Sequence, residues 1–434
     1  MTAKVRGAAV AAGAISGLLF GFDTAVIGGI NADLREVFQL SAYGMGAAIS
    51  AALWGTLVGA LGAGSPGDRF GSRAVLLWVA ILYVVSAIGS AVAWNLESFF
   101  FFRFVGGLAI GGSSVLAPVY LSEISPTQRR GFIVGLFQLN IVLGILVAFL
   151  SNYIIGQLGF GDIDWRVKLG VAAIPALILL GAMLTIPASP RWLLSKGRRE
   201  EALDAIRNLR MGDPETVAAD IQPEQSDTDR LSWTKHRRPI LLALAIATFN
   251  QLSGINAILY YIGDIFASAG YDAVSSDLQS VAVGAANFIA TMIGLTLIDR
   301  LGRRPLLMIG AAGTFLALVG VALIYSTGSN KALLLPMLIM FIGFFAISQG
   351  AVIWVYLSEI FPTEVRSRGQ ALGSATHWIL NAIISFAFPV VAAKTLAAPF
   401  WVFAGAVAVQ LFVVWRFFPE TKGVKLDQMD ARTH

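Results

Sequence analysis

"GDRFGSRAVLL" at residues 67–77 returns as "IDRLGRRPLLM" at 298–308, an acid–Arg–x–Gly loop running into an apolar segment. A second pair follows each copy: "YLSEISPTQRRG" at 120–131 and "YLSEIFPTEVRSRG" at 356–369. The interval from Asp68 to Glu123 is 55 residues and that from Asp299 to Glu359 is 60. Two motifs repeated in the same order at similar spacing mark an internal duplication, and the fold follows from what lies between them.

What lies between them is apolar. Of 434 residues, 56% are hydrophobic and 13% charged, with mean hydropathy +0.74. Soluble domains carry roughly 25% charged residues, so this chain lacks the polar surface to coat itself in water. Hydropathy predicts spans near 8–30, 44–63, 74–93, 98–121, 132–155 and 169–186, then 240–262, 278–298, 306–326, 333–358, 370–392 and 398–418, each of a length that crosses a bilayer. The first run has no small-residue cleavage site and reads as a retained helix, not a signal peptide. The expected fold is an all-α membrane protein with 12 transmembrane helices in two pseudo-twofold-related six-helix halves. Parallel copies place any substrate site between the halves near the midplane. The expected domains are an N-terminal half at 1–187, a helical linker at 188–238, a C-terminal half at 239–419 and a short tail at 420–434.

Charge placement orients the chain. Of the 31 Lys and Arg, 25 fall in one alternating set of connections, the set that includes both termini and the 187–239 segment. The opposite set holds five: Arg35, Arg166, Lys168, Lys331 and Lys394. The positive-inside rule puts the richer set, and both termini, in the cytoplasm, as in a multi-pass protein of the plasma (inner) membrane. The repeated motifs then lie at the cytoplasmic rim. There Asp68 and Asp299 are expected to face arginines or helix ends, and Glu123 and Glu359 to accept paired contacts from Arg69, Arg130, Arg303 or Arg366. Such pairs would latch the halves together, and ordinary positive-inside loop charge is the plainer alternative. In the linker, "RREEALDAIRNLR" reads as an amphipathic helix with Ala202, Leu203, Ile206 and Leu209 on one face. The acidic stretch from Asp213 to Asp229 reads as a solvated linker.

Several function classes drop out. Cysteine is absent, which removes disulfides and thiolate sites. The three histidines, at 236, 377 and 434, lie far apart, so no metal-ligand spacing or Ser-His-Asp arrangement supports an enzyme. No cofactor or metal is expected. The basic residues form no stripe with interleaved aromatics, so no nucleic-acid partner is expected either.

The motifs resemble the sugar porter family of the major facilitator superfamily, which includes bacterial proton–xylose symporters and animal glucose facilitators. The resemblance runs from about Gly13 to Gly423. It rests on "GFD" at 21–23, both D-R-x-G loops, "RFVGG" at 103–107, "PTQRRG" at 126–131, "NQLSGINAILYY" at 250–261 and "PETKG" at 419–423. The chain departs from the family pattern at Ala188, where Glu is usual, and at Asn250, where Gln is common. It departs again at "SQGAVIW" in the tenth span and at His377, where Gln or Asn is more usual.

Outside the loops, the predicted spans contain one acid, Asp23, and one base, Arg103. Intramembrane ionisable groups are costly and mark function by default. Similar depth and opposite charge make the two natural partners. Unpaired, the aspartate escapes desolvation by taking up a proton, whereas arginine cannot give one up. The resemblance implies that an aspartate here marks proton-coupled members. A buried pair kept only for packing is the alternative.

Polar side chains near the midplane complete the picture: Gln138 in span 5, Asn250, Gln251 and Asn256 in span 7, Asn287 in span 8, and His377 with Trp378 in span 11. Amides both donate and accept, as sugar hydroxyls do, and Trp354 and Trp378 offer flat apolar faces. Ser253-Gly254 is expected to break helix seven, so that Tyr260 and Tyr261 close over the site. Each polar residue has interhelical hydrogen bonding as its alternative role. The expected function is proton-coupled import of a small neutral monosaccharide, hexose or pentose, by a monomer in the lipid bilayer. A passive facilitator of the same fold is the first rival. A non-transporting sugar sensor is the second, disfavoured by the short segment after Pro419.

Overall fold

The computed structural model describes residues 2–125, 130–221, 231–362 and 365–422. Among them, twelve helices are long and apolar enough to cross a membrane. Spans 1 to 6 are Ala9–Gly29, Ala42–Gly62, Ser72–Ala91, Leu96–Glu123, Gly135–Leu158 and Gly161–Thr185. Spans 7 to 12 are Arg237–Tyr260, Ala273–Leu301, Arg303–Thr327, Lys331–Glu359, Arg366–Ala392 and Ala397–Phe417. Each predicted span is present. Spans 6 and 8 begin earlier than hydropathy indicates, at Gly161 and Ala273, so Lys168 and Asp277 lie inside helices, and each is only 5% exposed. Hydropathy misses them because a charge at a helix end lowers the window average even where neighbouring helices bury it.

The chain divides into two compact units, one of Met1–Ile30 and Ala51–Glu224, the other of Asn31–Ser50 and Gln225–His434. Within the first, span 1 packs on span 5, span 3 on span 4, and span 3 on span 6. Within the second, the pairs are 7 with 11, 9 with 10, and 9 with 12. Adding six to each first-unit number gives the second-unit pair. The sequence duplication therefore repeats as a duplicated packing scheme, the two six-helix halves of the major facilitator fold.

Small residues make the packing close, because lipid tails give apolar helices no hydrophobic reason to associate and tight contact must do so instead. A Cβ at Gly21 would collide with the Ile141 carbonyl, and one at Gly144 with that of Leu18, so spans 1 and 5 touch backbone to backbone. The outward faces carry large apolar side chains such as Trp78, 65% exposed, and Phe101, 60% exposed. Those exposures suit hydrocarbon and not water.

The break in span 7 and the linker bear on the site. Span 7 ends its first piece at Leu252, turns through Gly254 at φ +81°, and resumes as Ile255–Tyr260. Only glycine fits there, since positive φ disfavours other residues and the Phe403 ring lies where a Cβ would stand. The linker forms helices at Pro190–Ser195, Arg199–Leu209 and Pro214–Asp220. The predicted apolar face is buried, with Ala205 added to it. The start of the acidic stretch is helical where a solvated linker was expected. Asp213 caps it by accepting the Thr216 N–H at 3.0 Å, and Pro214 opens it. That N–H holds the Asp213 carboxyl below its ordinary value. The remainder, 222–230, lies outside the described residues.

Candidate functional site

In the first unit, "GFD" is the upper part of span 1 and "RFVGG" the early part of span 4. Asp23 is six residues from the end of its span and Arg103 seven from the start of its own, about 9 and 10 Å deep at 1.5 Å per residue. Arg103 Nη1 donates to Asp23 Oδ1 at 2.6 Å, and the two side chains are 3% and 11% exposed. Gly107 lets span 4 reach the backbone of span 2 at Ala52, and Gly106 leaves room for the span 3 hydroxyl of Ser86. The two glycines of the motif thus set the helix spacing around the arginine. Asp23 Oδ2 and Arg103 Nε make no hydrogen bond among the described residues. Each charge offsets the desolvation of the other, and removing one partner of such a pair typically costs about 3–5 kcal/mol.

Gln138 is half-buried on span 5, and its amide makes no hydrogen bond among the described residues. In the second unit, the break in span 7 gathers an amide cluster. Gln251 Nε2 donates to Asn250 Oδ1 at 3.0 Å, and Asn256 Nδ2 donates to Gln251 Oε1 at 3.1 Å. Gln251 Nε2 also meets the His377 ring, 3.1 Å from Nδ1 and 3.2 Å from Nε2. Trp354 and Trp378 flank that imidazole, with ring centroids 5.2 and 5.1 Å away. Trp378 is buried, while Trp354 is 38% exposed. Asn287 is 5% exposed, and its amide has no hydrogen-bond partner among the described residues. Of the four predicted second-unit amides, it is therefore the one whose donors and acceptor are least committed to protein.

Tyr260 and Tyr261 follow the break. Asn381 Nδ2 points to the Tyr260 hydroxyl at 3.4 Å, and Tyr261 donates to the Ser385 carbonyl at 2.9 Å while stacking on Phe388. Asn381 is missing from the sequence-based set. It lies four residues after His377, one turn along the same helix face, and that spacing was the available signal.

Both units carry polar contacts at the ends of the spans that bear the repeated motifs. In the second unit, Arg303 grips Glu359 through Nε at 3.1 Å and Nη2 at 2.7 Å, and reaches Asp299 at 3.4 Å. Thr421 donates to Glu359 at 2.6 Å. Glu420 accepts the backbone N–H groups of Arg303 and Arg304 at 2.9 and 3.0 Å, an anion seated on the N-terminus of span 9. Glu420 belongs to "PETKG" yet was given no role from sequence, because nothing in its spacing shows which helix end it will meet. In the first unit, Glu123 accepts from Ser72 at 3.3 Å. Arg69 lies over the Phe70 ring, and the backbone carbonyl of Asp68 accepts from the Trp192 indole at 3.1 Å. The Arg366 Nε donates to Phe361 O at 3.4 Å. The side chain of Arg130 lies outside the described residues.

A family model described as "Sugar (and other) transporter" matches residues 9–432. The chain is 38% identical to the major myo-inositol transporter of Bacillus subtilis (strain 168), over 95% of this chain and 91% of that one. It is 31% identical to the D-xylose-proton symporter of Escherichia coli (strain K12), over 96% and 93%. The inward open conformation of the E. coli xylose transporter superposes with a TM-score of 0.88 at 29% identity, covering 98% of each chain.

Proposed function

The chain belongs to the sugar (and other) transporter family of the major facilitator superfamily, and from that premise we infer that it carries a neutral monosaccharide into the cell together with a proton. It is a multi-pass membrane transporter and not an enzyme. The observation that carries the proton is the buried Asp23–Arg103 pair at 2.6 Å.

In the cycle, ionised Asp23 holds Arg103 and favours one facing state. A proton arriving from outside neutralises the carboxyl and removes the attraction, and the carrier turns with sugar bound. Release of that proton to the cytoplasm restores the pair. Gln138 in the first unit and Asn250, Gln251, Asn256, Asn287, Trp354, His377 and Trp378 in the second are the sugar ligands of this reading, with Tyr260 closing over them. The uncommitted amides of Gln138 and Asn287 support it, since a sugar hydroxyl can both donate to and accept from each. Asp68, Arg69, Glu123 and Arg130, with Asp299, Arg303, Glu359 and Arg366, form the cytoplasmic gating charges. The moving halves are 1–187 and 239–419, joined by the linker 188–238 and followed by the tail 420–434. The charge asymmetry of the connections supports cytoplasmic termini in the plasma membrane, and one chain in the bilayer is the functional unit.

Uptake of radiolabelled D-xylose, D-glucose and myo-inositol into proteoliposomes, with and without an inward proton gradient, tests the reading. Accumulation above equilibrium only with the gradient, collapsing on addition of a protonophore, is expected. Equilibration indifferent to the gradient would make the chain a passive facilitator, and binding without uptake a sensor.

A further inference from the structure

The peptide after span 1 changes allegiance within a few residues. Up to Gly29 it is held to the first unit, where Asn152 Nδ2 donates to Val26 O at 3.1 Å and Lys168 Nζ to Gly29 O at 2.9 Å. From Asn31 onward it belongs to the second unit, through the helix Asn31–Phe38. Arg35 clasps Asp264 with both ends of its guanidinium, Nη1 to Oδ1 at 2.7 Å and Nη2 to Oδ2 at 2.8 Å. Asn31, 2% exposed, donates through Nδ2 to Asp264 Oδ2 at 3.1 Å and to the carbonyl of Tyr260 at 2.8 Å. Asp264 stands on the helix Ile262–Ser268 that prolongs span 7. The pair raises the affinity of Arg35 for its proton, chiefly through the hydrogen bond to Asp264.

We propose that Arg35, Asp264 and Asn31 form an outer latch, which closes the extracellular route over Tyr260 and must open once in every transport cycle. The outer placement and the sugar route rest on the function inferred above. Four observations converge on a latch. The ion pair is bidentate, so it fixes geometry as well as charge. Arg35 is 38% exposed and Asp264 21%, and a pair so open to water is weak enough to break repeatedly. The buried Asn31 ties the same acid to the backbone of the residue that closes over the sugar ligands. Finally, Gly28-Gly29 lies immediately before the latch helix, in a 3-10 turn (Ile27–Gly29) where the chain leaves one unit for the other.

Because the chain has no cysteine, spin labels can be placed singly. We would label Val37→Cys, 46% exposed on the latch helix, and Ala267→Cys, exposed on the helix-seven extension. Pulsed electron–electron distances in the reconstituted carrier are expected to show a dominant short separation. Arg35→Ala or Asp264→Ala should raise a longer population about threefold to tenfold, the range open to a half-exposed bidentate pair. The exchanged pair, Arg35→Asp with Asp264→Arg, should return the original distribution. Distributions identical in all variants would overturn the latch, and failure of the exchange to restore would overturn its ionic basis. In a second arm, Arg35→Cys with Asp264→Cys is bridged by a membrane-impermeant bifunctional methanethiosulfonate during D-glucose, D-xylose or myo-inositol exchange. Exchange should stop and return on reduction, and exchange undiminished by bridging would overturn the gate. Should distances respond while no sugar moves in the unmodified carrier, the latch stands and the cargo falls. Should the reagent act only on inverted vesicles, the sidedness falls instead.

Discussion

Asp23 meets Arg103 through Oδ1 alone, and the second oxygen makes no hydrogen bond among the described residues. Oδ2 is therefore the oxygen left free of Arg103, an arrangement that accords with the coupling role proposed for Asp23. Asp23→Asn keeps an oxygen for Arg103 and deletes the titration. Accumulation against a gradient is expected to vanish in that variant while sugar counterflow persists, and retained concentrative uptake would exclude Asp23 as the coupling acid. Gln138 and Asn287 make no hydrogen bond to protein among the described residues, so truncating them should cost the fold little and, on the proposed function, the sugar much. Gln138→Ala and Asn287→Ala should each raise the KM for sugar about tenfold, or roughly 1.4 kcal/mol, with thermal stability unchanged. Gln251 already bonds Asn250, Asn256 and His377. Gln251→Ala should weaken both sugar binding and stability, and thermal unfolding measured beside KM separates the two classes. The sequence located these amides by depth. Which were saturated by neighbours depended on side-chain geometry across helices, which spacing along the chain does not carry.

At the scale of the element, span 7 is the informative helix. Its break was legible in Ser253-Gly254 because glycine reaches positive φ without steric cost. The need for glycine is doubled by the Phe403 ring, a partner 149 positions away and invisible to local reasoning. Gly254→Ala should lower the apparent unfolding midpoint, at a cost of about 1–3 kcal/mol, and depress exchange because the Ile255–Tyr260 piece is re-aimed. A midpoint equal to that of the unmodified chain would refute the steric account. Span 9 makes the complementary case. Its first turn borrows its cap from Glu420, far along the chain. Glu420→Ala leaves two amide donors without that acceptor and should destabilise the second unit by about 1–2 kcal/mol, measurable as a lower midpoint in detergent.

For the whole molecule, the alternation of basic and nearly base-free connections predicts sidedness. A membrane-impermeant maleimide on right-side-out vesicles should label Ser329→Cys, between spans 9 and 10, and spare Ser195→Cys in the linker. The reverse pattern would invert the topology. The sequence by itself determined the number of spans, the duplication and the family, because hydrophobic length and repeated motifs are properties of the chain read in order. It determined the pairing of Asp23 with Arg103 too, since two opposite charges at one depth have few other ways to offset desolvation. Only the tertiary structure decided that Lys168 and Asp277 are buried, that Glu420 caps span 9, and that Arg35 reaches Asp264. The contacts of Lys168 with Gly29, of Glu420 with span 9 and of Arg35 with Asp264 each join residues distant in sequence whose local surroundings look like ordinary loop. A charge at a helix end is worth little until a particular neighbour excludes water from it, and which neighbour arrives is set by helix packing.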